Sequence, residues 1–138
     1  FIGSPPMNFI YGLVEVSDAG TFFVSTEGAS RLRLELGPKL RTIGRAHAGR
    51  PLVLGIRPEN IPVAASVAKP HPPQCVEATI DVAEPMGSET YLYLLFGHAS
   101  SIAKVPSGVT YRPGESLKVW FDLEQAHLFD AESEAVLG

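Results

Sequence analysis

Apolar residues recur at every second position along much of this chain, and that spacing constrains the fold more than any other feature. Side chains i, i+2 and i+4 of an extended segment share one face, so alternation marks a strand with one face buried. Leu32, Leu34 and Leu36 alternate with Arg31, Arg33 and Glu35; Val76, Ala78, Ile80 and Val82 with Glu77, Thr79 and Asp81; Leu117, Val119 and Phe121 with Lys118, Trp120 and Asp122. Strands are therefore predicted over residues 30–36, 75–82 and 116–122. Residues 9–16 and 21–25 read as a hairpin around Asp18-Ala19-Gly20, because glycine tolerates positive φ. Glu27-Gly28-Ala29 then turns into the Leu32 strand. Residues 51–56 form a short apolar strand. Arg57 stays extended after it, because a residue before proline disfavours helical geometry. Residues 90–96 are apolar on both faces, with Leu92, Leu94 and Phe96 on one and Tyr91, Tyr93 and Leu95 on the other. Such a strand is either central in its sheet or covered at a subunit interface.

The chain carries 13 glycines and 12 prolines in 138 residues. Proline breaks the helical hydrogen-bond ladder and glycine destabilises it, so a helical bundle is excluded. Residues 38–50 and 64–74, the latter with Pro70, Pro72 and Pro73, read as irregular loops. Residues 105–113 read as a loop before the last long strand. Helix is expected only near 123–128 and in 131–137. About eight short strands with frequent turn signals imply an all-β protein, a small antiparallel barrel or sandwich. The length suits one domain or two small subdomains sharing a core.

Charge and composition narrow the function. A net charge of −4 and a pI near 5.5 give no positive field to attract nucleic acid or an anionic membrane. Aromatics such as Tyr91 and Tyr93 offer stacking surfaces, but without an electrostatic funnel no nucleic-acid role is expected. A single cysteine, Cys75, excludes a disulfide framework within the chain and any multi-cysteine zinc cluster. No apolar run has the length of a membrane span, so no direct membrane insertion is expected. Residues 1–6 lack the features of a signal peptide and begin without Met; the chain is expected to belong to a longer protein.

Catalytic patterns are sparse. No glycine-rich loop ending in Gly-Lys-Ser/Thr occurs, so nothing here would cradle ATP phosphates. Gly87-Ser88-Glu89 lacks the second glycine of a nucleophile elbow. His47, His71, His98 and His127 are scattered and read as surface or partly packed residues; no metal site is expected. Glu84 and Glu89 flank a turn at Met86-Gly87, where they brace a hairpin or face a partner rather than perform acid–base chemistry. Lys39, Arg41, Arg45, His47 and Arg50 form a basic stretch, read as a solvated loop with an anion or acidic partner as the alternative. Its acidic counterpart is Asp122, Glu124, Asp130, Glu132 and Glu134, and the two could pair within or between subunits.

Four motifs, in order, bracket almost the whole chain. Residues 1–9, Phe-Ile-Gly-Ser-Pro-Pro-Met-Asn-Phe, resemble the segment leaving the ATPase domain in ATP-binding subunits of carbohydrate ABC importers of the maltose and glycerol-3-phosphate type. Leu54-Gly55-Ile56-Arg57-Pro58-Glu59-Asn60 resembles the most recognisable motif of their C-terminal domain. Glu84-Pro85-Met86-Gly87-Ser88-Glu89-Thr90 resembles the later E-x-x-G-x-E-T hairpin, and His127-Leu128-Phe129-Asp130 the closing H-L-F-D.

The resemblance implies an OB-type transport-associated (TOBE) regulatory domain over 9–138, entered by a linker over 1–8. It implies homodimerisation, docking of the parent subunit on membrane-spanning transporter subunits at the inner face of the cell membrane, and in some members a regulatory protein partner. ATP and magnesium are implied for the ATPase domain, and no cofactor or catalytic residue is expected in this segment. The motif residues carried over are Gly55, Arg57, Pro58, Glu59, Glu84, Gly87, Glu89 and His127. Gly55 is expected to allow close backbone approach, and Arg57 and Glu59 to form salt bridges across Pro58. His127, Leu128 and Phe129 are expected to seal the end of the barrel. Tyr91, Tyr93 and Leu95 are the interface candidates. The alternative is an oxyanion-sensing domain, with Ser88, Thr90, Ser100, Ser101 and Lys104 supplying hydroxyls and an ammonium.

Overall fold

The structure, a computed structural model, describes residues 7–26, 32–63, 75–96 and 99–138. Among these, the elements run β1 (Asn8–Ser17), β2 (Gly20–Ser25), β3 (Arg33–Glu35), α1 (Pro38–Ala46), β4 (Leu52–Ile56), β5 (Cys75–Pro85), β6 (Glu89–Phe96), β7 (Ala99–Pro106), β8 (Ser116–Trp120) and β9 (His127–Asp130). The strands form two antiparallel sheets, one ordered β3-β2-β1-β4-β9 and the other β7-β6-β5-β8. The all-β antiparallel architecture is the one the alternation predicts. The turn at Glu27-Gly28-Ala29, the proline-rich stretch 64–74, and His71 and His98 lie outside the described residues.

Alternation sorts the faces as expected. Leu32, Leu34 and Leu36 are all buried. On β1, Ile10 and Val14 point inward while Phe9 and Tyr11 stay about half exposed. Inward side chains from both sheets, including Phe23, Leu54, Ile80, Leu92 and Phe121, belong to a single apolar cluster. Strand β6 lies between β5 and β7, which explains its lack of polar positions: it is central in its sheet.

Four local expectations differ from the structure. Residues 38–46 form helix α1 rather than a loop. Pro38 sits in its first turn, where the missing N–H has no partner to lose, and Leu40, Ile43 and Gly44 turn toward the core. The density of basic residues masked that apolar spacing. Val82 is 46 % exposed instead of sharing a face with Ile80. The β5–β6 register shifts between Ile80 and Val82, and one extra residue, Asp81, inverts the alternation. The C-terminal stretch is helical only in one short turn. A 3₁₀ turn at Leu123–Gln125 leads into β9, and the tail folds back on it, Leu137 N donating to Leu128 O at 2.7 Å. Val105 and Pro106 likewise belong to β7, not to the loop that follows.

The two sheets meet at a seam. Asn8 Nδ2 donates to Ile102 O and Ile102 N donates to Asn8 Oδ1, both at 2.8 Å. A single side-chain amide thus pairs with the backbone edge of β7 as a neighbouring strand would. Below it, Pro58 is buried in a 3₁₀ turn (Pro58–Asn60) that packs on β7. The chain then crosses to the second sheet: Asp122 N donates to Asn60 O, Trp120 N to Pro62 O, and Val63 bridges Val119. Replacing Asn8 by Ala leaves two part-buried backbone groups of Ile102 unpaired. The expected loss is about 1–3 kcal/mol, read as a lower urea midpoint with an unchanged slope.

Candidate functional site

The β5–β6 hairpin carries the motif residues Glu84, Gly87 and Glu89 and all the interface candidates. Pro85 pairs with Thr90 across its end, and Met86 N donates to Glu89 O at 2.7 Å. Gly87 has φ +84°. A Cβ there would touch nothing within 4 Å, so backbone conformation alone calls for glycine. Glu84 accepts a long hydrogen bond from Tyr93 Oη, 3.4 Å, and Glu89 lies 3.5 Å from Lys104 Nζ. Each carboxylate therefore engages its own partner rather than the other. Burial, reinforced by the Glu84 charge and hydrogen bond, pushes the Tyr93 hydroxyl above its ordinary value. Tyr91 is buried, and Tyr93 and Leu95 are half-buried. The outer face of this sheet offers a modest apolar strip in which Val82 stands beside Tyr93.

The Gly55–Glu59 motif builds the seam. A Cβ on Gly55 would lie 2.5 Å from Met7 Sδ and 2.7 Å from Phe129 Cε1. The close approach is thus by side chains, not by the backbone expected from sequence. Arg57 is extended, with φ −77° and ψ 151°. Arg57 and Glu59 are exposed, and neither forms an ion pair among the described residues. Among the described residues Arg57, Pro58 and Glu59, the buried one is Pro58.

Strand β9 is an edge strand on β4, from Leu52↔Asp130 to Gly55↔His127. Leu128 is fully buried, whereas His127 and Phe129 are half-buried; they flank a sheet edge rather than seal a barrel. Phe129 meets Phe9 edge-to-face, with ring centroids 5.9 Å apart. Asp130 Oδ1 accepts from Ser133 N and Glu132 N, both at 2.9 Å, and its Oδ2 accepts from Arg50 at 3.1 Å. The backbone donors first, and then Arg50, hold its carboxyl below the ordinary range. This turn places Glu134 at φ +62°, a conformation that side chains other than glycine's rarely adopt. Phe9, Tyr11, Val53, Phe129 and Glu134 line a groove of about 320 Å³ here. The sequence reading missed it. Its signal was the outward aromatic pair Phe9 and Tyr11, two residues apart.

The basic stretch is divided. Lys39 Nζ donates to Ala126 O at 2.8 Å, His47 Nδ1 lies 2.9 Å from Ile43 O, and Arg50 pairs with Asp130. Arg41 and Arg45 remain exposed on the outer face of α1. The hydroxyls considered for an oxyanion do not converge. Ser100 pairs with Leu95 and Thr90 with Val105, five rungs apart, or about 17 Å along the strands. Ser101 faces the core, and Lys104 is engaged by Glu89. Among the described residues no group of His, Cys, Asp and Glu could hold a metal ion, and no helix is long and apolar enough to cross a membrane.

Among the described residues, nine antiparallel strands in two sheets, joined through a proline turn, define an all-β domain. The chain belongs to the TOBE domain family, whose model matches residues 54–129; the MalK OB fold domain matches residues 3–61. It is 36 % identical to the multiple sugar-binding transport ATP-binding protein MsmK of Streptococcus mutans, over 99 % of this chain and 35 % of that protein. It is 32 % identical to the oligosaccharides import ATP-binding protein MsmX of Bacillus subtilis, over 97 % of this chain and 35 % of that protein. The trehalose/maltose import ATP-binding protein MalK of Thermococcus litoralis is 34 % identical over 94 % of this chain and 34 % of its own length. The chain thus spans about a third of these relatives. Among solved structures, the cytoplasmic molybdate-binding protein ModG, with molybdate bound, superposes with a TM-score of 0.65 at 14 % identity, covering 92 % of this chain and 98 % of that one; the likeness is one of fold.

Two outcomes are expected. Glu134→Gly relieves the positive-φ strain and raises stability by about 0.5–1 kcal/mol, seen as a higher melting temperature; an unchanged or lower value would refute the strain. Tyr93 has its folded-state pKa raised by burial and Glu84, so its contribution to stability is complete below the ordinary tyrosine value, near 10. It is lost as pH rises through the raised value. Ultraviolet difference titration should show Tyr93 and Tyr111, the latter raised by burial, ionising late. Glu84→Gln should advance Tyr93 alone.

Proposed function

We propose that this chain is the regulatory and dimerisation domain of the ATP-binding subunit of an ABC importer for sugars or related solutes. The observation that carries this reading is the 36 % identity to a sugar-transport ATP-binding protein across 99 % of the chain. In this reading ATP and magnesium are handled by the part of the subunit outside this chain, and residues 1–8 lead from it. The parent subunit docks on membrane-spanning partners at the cytoplasmic face of the membrane. The domain acts mechanically, holding a copy of itself while the ATPase halves move. The partly exposed strip of Val82, Tyr93 and Leu95 on the second sheet is the surface assigned to that contact. Oxyanion sensing receives less support, since the residues considered for it are spread along β6 and β7.

Sedimentation equilibrium tests the self-contact. The chain should approach a dimer as its concentration rises, and Leu95→Asp should return it to monomer without altering its circular dichroism. A wild-type chain still monomeric at millimolar concentration would overturn the dimerisation role. In cells, a full-length subunit with Leu95→Asp should import a labelled oligosaccharide more slowly than its parent; unchanged import would argue against a mechanical role for this surface.

A further inference from the structure

Between Glu35 and Glu59 the chain has no acidic residue and five cations, Lys39, Arg41, Arg45, Arg50 and Arg57, although its net charge is −4. The fold divides these cations by use. Lys39 Nζ donates to Ala126 O at 2.8 Å, and Arg50 pairs with Asp130. Arg41 and Arg45 stand four residues apart on one face of α1, with Cβ atoms about 6 Å apart at that spacing. Both are exposed, and neither forms an ion pair among the described residues. Thr42 beside them is exposed as well. The opposite face, with Leu40, Ile43 and Gly44, is turned to the core.

Helix stability does not account for this pair. Like charges four residues apart repel, and the first turn holds no acid to offset them. The helix dipole favours a cation in the last turn, where Arg45 lies, but not toward the N-terminal end, where Arg41 lies. Glu124 approaches the helix only at its start: its Oε1 lies 3.1 Å from where a Cβ on Gly37 would stand. Beyond Arg45, the exposed Ala46, Ala48 and Gly49 are too small to overhang the guanidinium groups, and a Cβ on Gly49 would meet nothing within 4 Å.

We propose that the outer face of α1 is a docking surface for an acidic helical segment of a partner protein, two of whose carboxylates, four residues apart, pair with Arg41 and Arg45. Charge complementarity selects the carboxylates, since each planar guanidinium can give one of them two parallel hydrogen bonds. Shape selects a helix. The face is convex and cannot enclose a free anion as a pocket does, whereas acids four residues apart on a second helix repeat the spacing of the two arginines. Overall charge selects a short protein segment over a nucleic acid or an anionic membrane: a chain of net charge −4 repels an extended polyanion, while two local pairs act within a Debye length. This inference goes beyond the importer reading and stands without it.

The test is an NMR titration of the chain with an alanine- and glutamine-based helical peptide carrying two glutamates four residues apart. Its control has the same composition with the glutamates two residues apart, on opposite sides of the helix. Amide resonances of Arg41, Thr42 and Arg45 should shift saturably with the first peptide and much less with the second, and added sodium chloride should weaken the binding. Arg41→Gln and Arg45→Gln should each reduce affinity roughly two- to fivefold, the scale of an exposed ion pair. Arg112→Gln removes an equal charge from an exposed position between β7 and β8 and should leave affinity unchanged; circular dichroism checks that all three variants stay folded. Absence of saturable shifts, equal shifts with the two peptides, or an equal loss in Arg112→Gln would each overturn the inference. So would shifts at Arg41 and Arg45 produced by inorganic phosphate or phosphatidylglycerol vesicles and not by the peptide.

Discussion

Two half-buried sheets need a common core, and the pairing of Asn8 with Ile102 is what keeps them on one. Each sheet alone would bury a single face and leave an open edge on the other side. The β7 edge is the exposed one at the junction, and unpaired strand edges are costly when buried and adhesive when free. Asn8 answers both problems, because its amide offers a donor and an acceptor in the same plane as a strand backbone does. It begins β1, so the first residue of the first sheet pairs with a backbone rung at the edge of the second. Pro58, buried in its 3₁₀ turn beneath the same edge, carries the chain from β4 toward Val63 and its bridge to Val119. The apolar cluster from Phe23 to Phe121 draws on residues of both sheets.

Charge in this domain is used locally. Glu84 meets Tyr93, Glu89 meets Lys104, Asp130 meets Arg50 and two backbone donors, and Lys39 meets the carbonyl of Ala126. Exposed pairs of this kind contribute little stability each; they set the orientation of turns. The turn after β9 shows the consequence. It ties Asp130 to Glu132 and Ser133, and Glu134 lies beyond it among the residues that line a groove with Phe9 and Phe129. The surfaces of interest are therefore side effects of how edges and turns are finished, and that suits a domain proposed to hold partners in place.

The legible parts of the fold were those with a period. Leu32, Leu34 and Leu36 announced a strand, and they are buried on one face. Helix α1 was illegible for a particular reason: nine residues with three apolar or small inward positions and three basic outward ones look like a charged loop when read for composition. The inversion at Val82 could not be read, because a one-residue bulge depends on the partner strand that β5 must match. Arg57 and Glu59 were conspicuous in the sequence, yet the structure uses the proline between them.

Sequence alone determined that this chain forms antiparallel strands, that β6 is covered on both faces or central in its sheet, and that the hairpin at Gly87 needs a positive φ, because these follow from side-chain period and backbone sterics within a few residues. Its motifs also determined the family. Tertiary structure decided where the sheets join, which face of each strand meets solvent after the bulge, and which aromatics and carboxylates share a groove. Those depend on pairs such as Asn8 with Ile102 and Phe9 with Phe129, far apart along the chain, and a distance of that kind has no signature in local spacing.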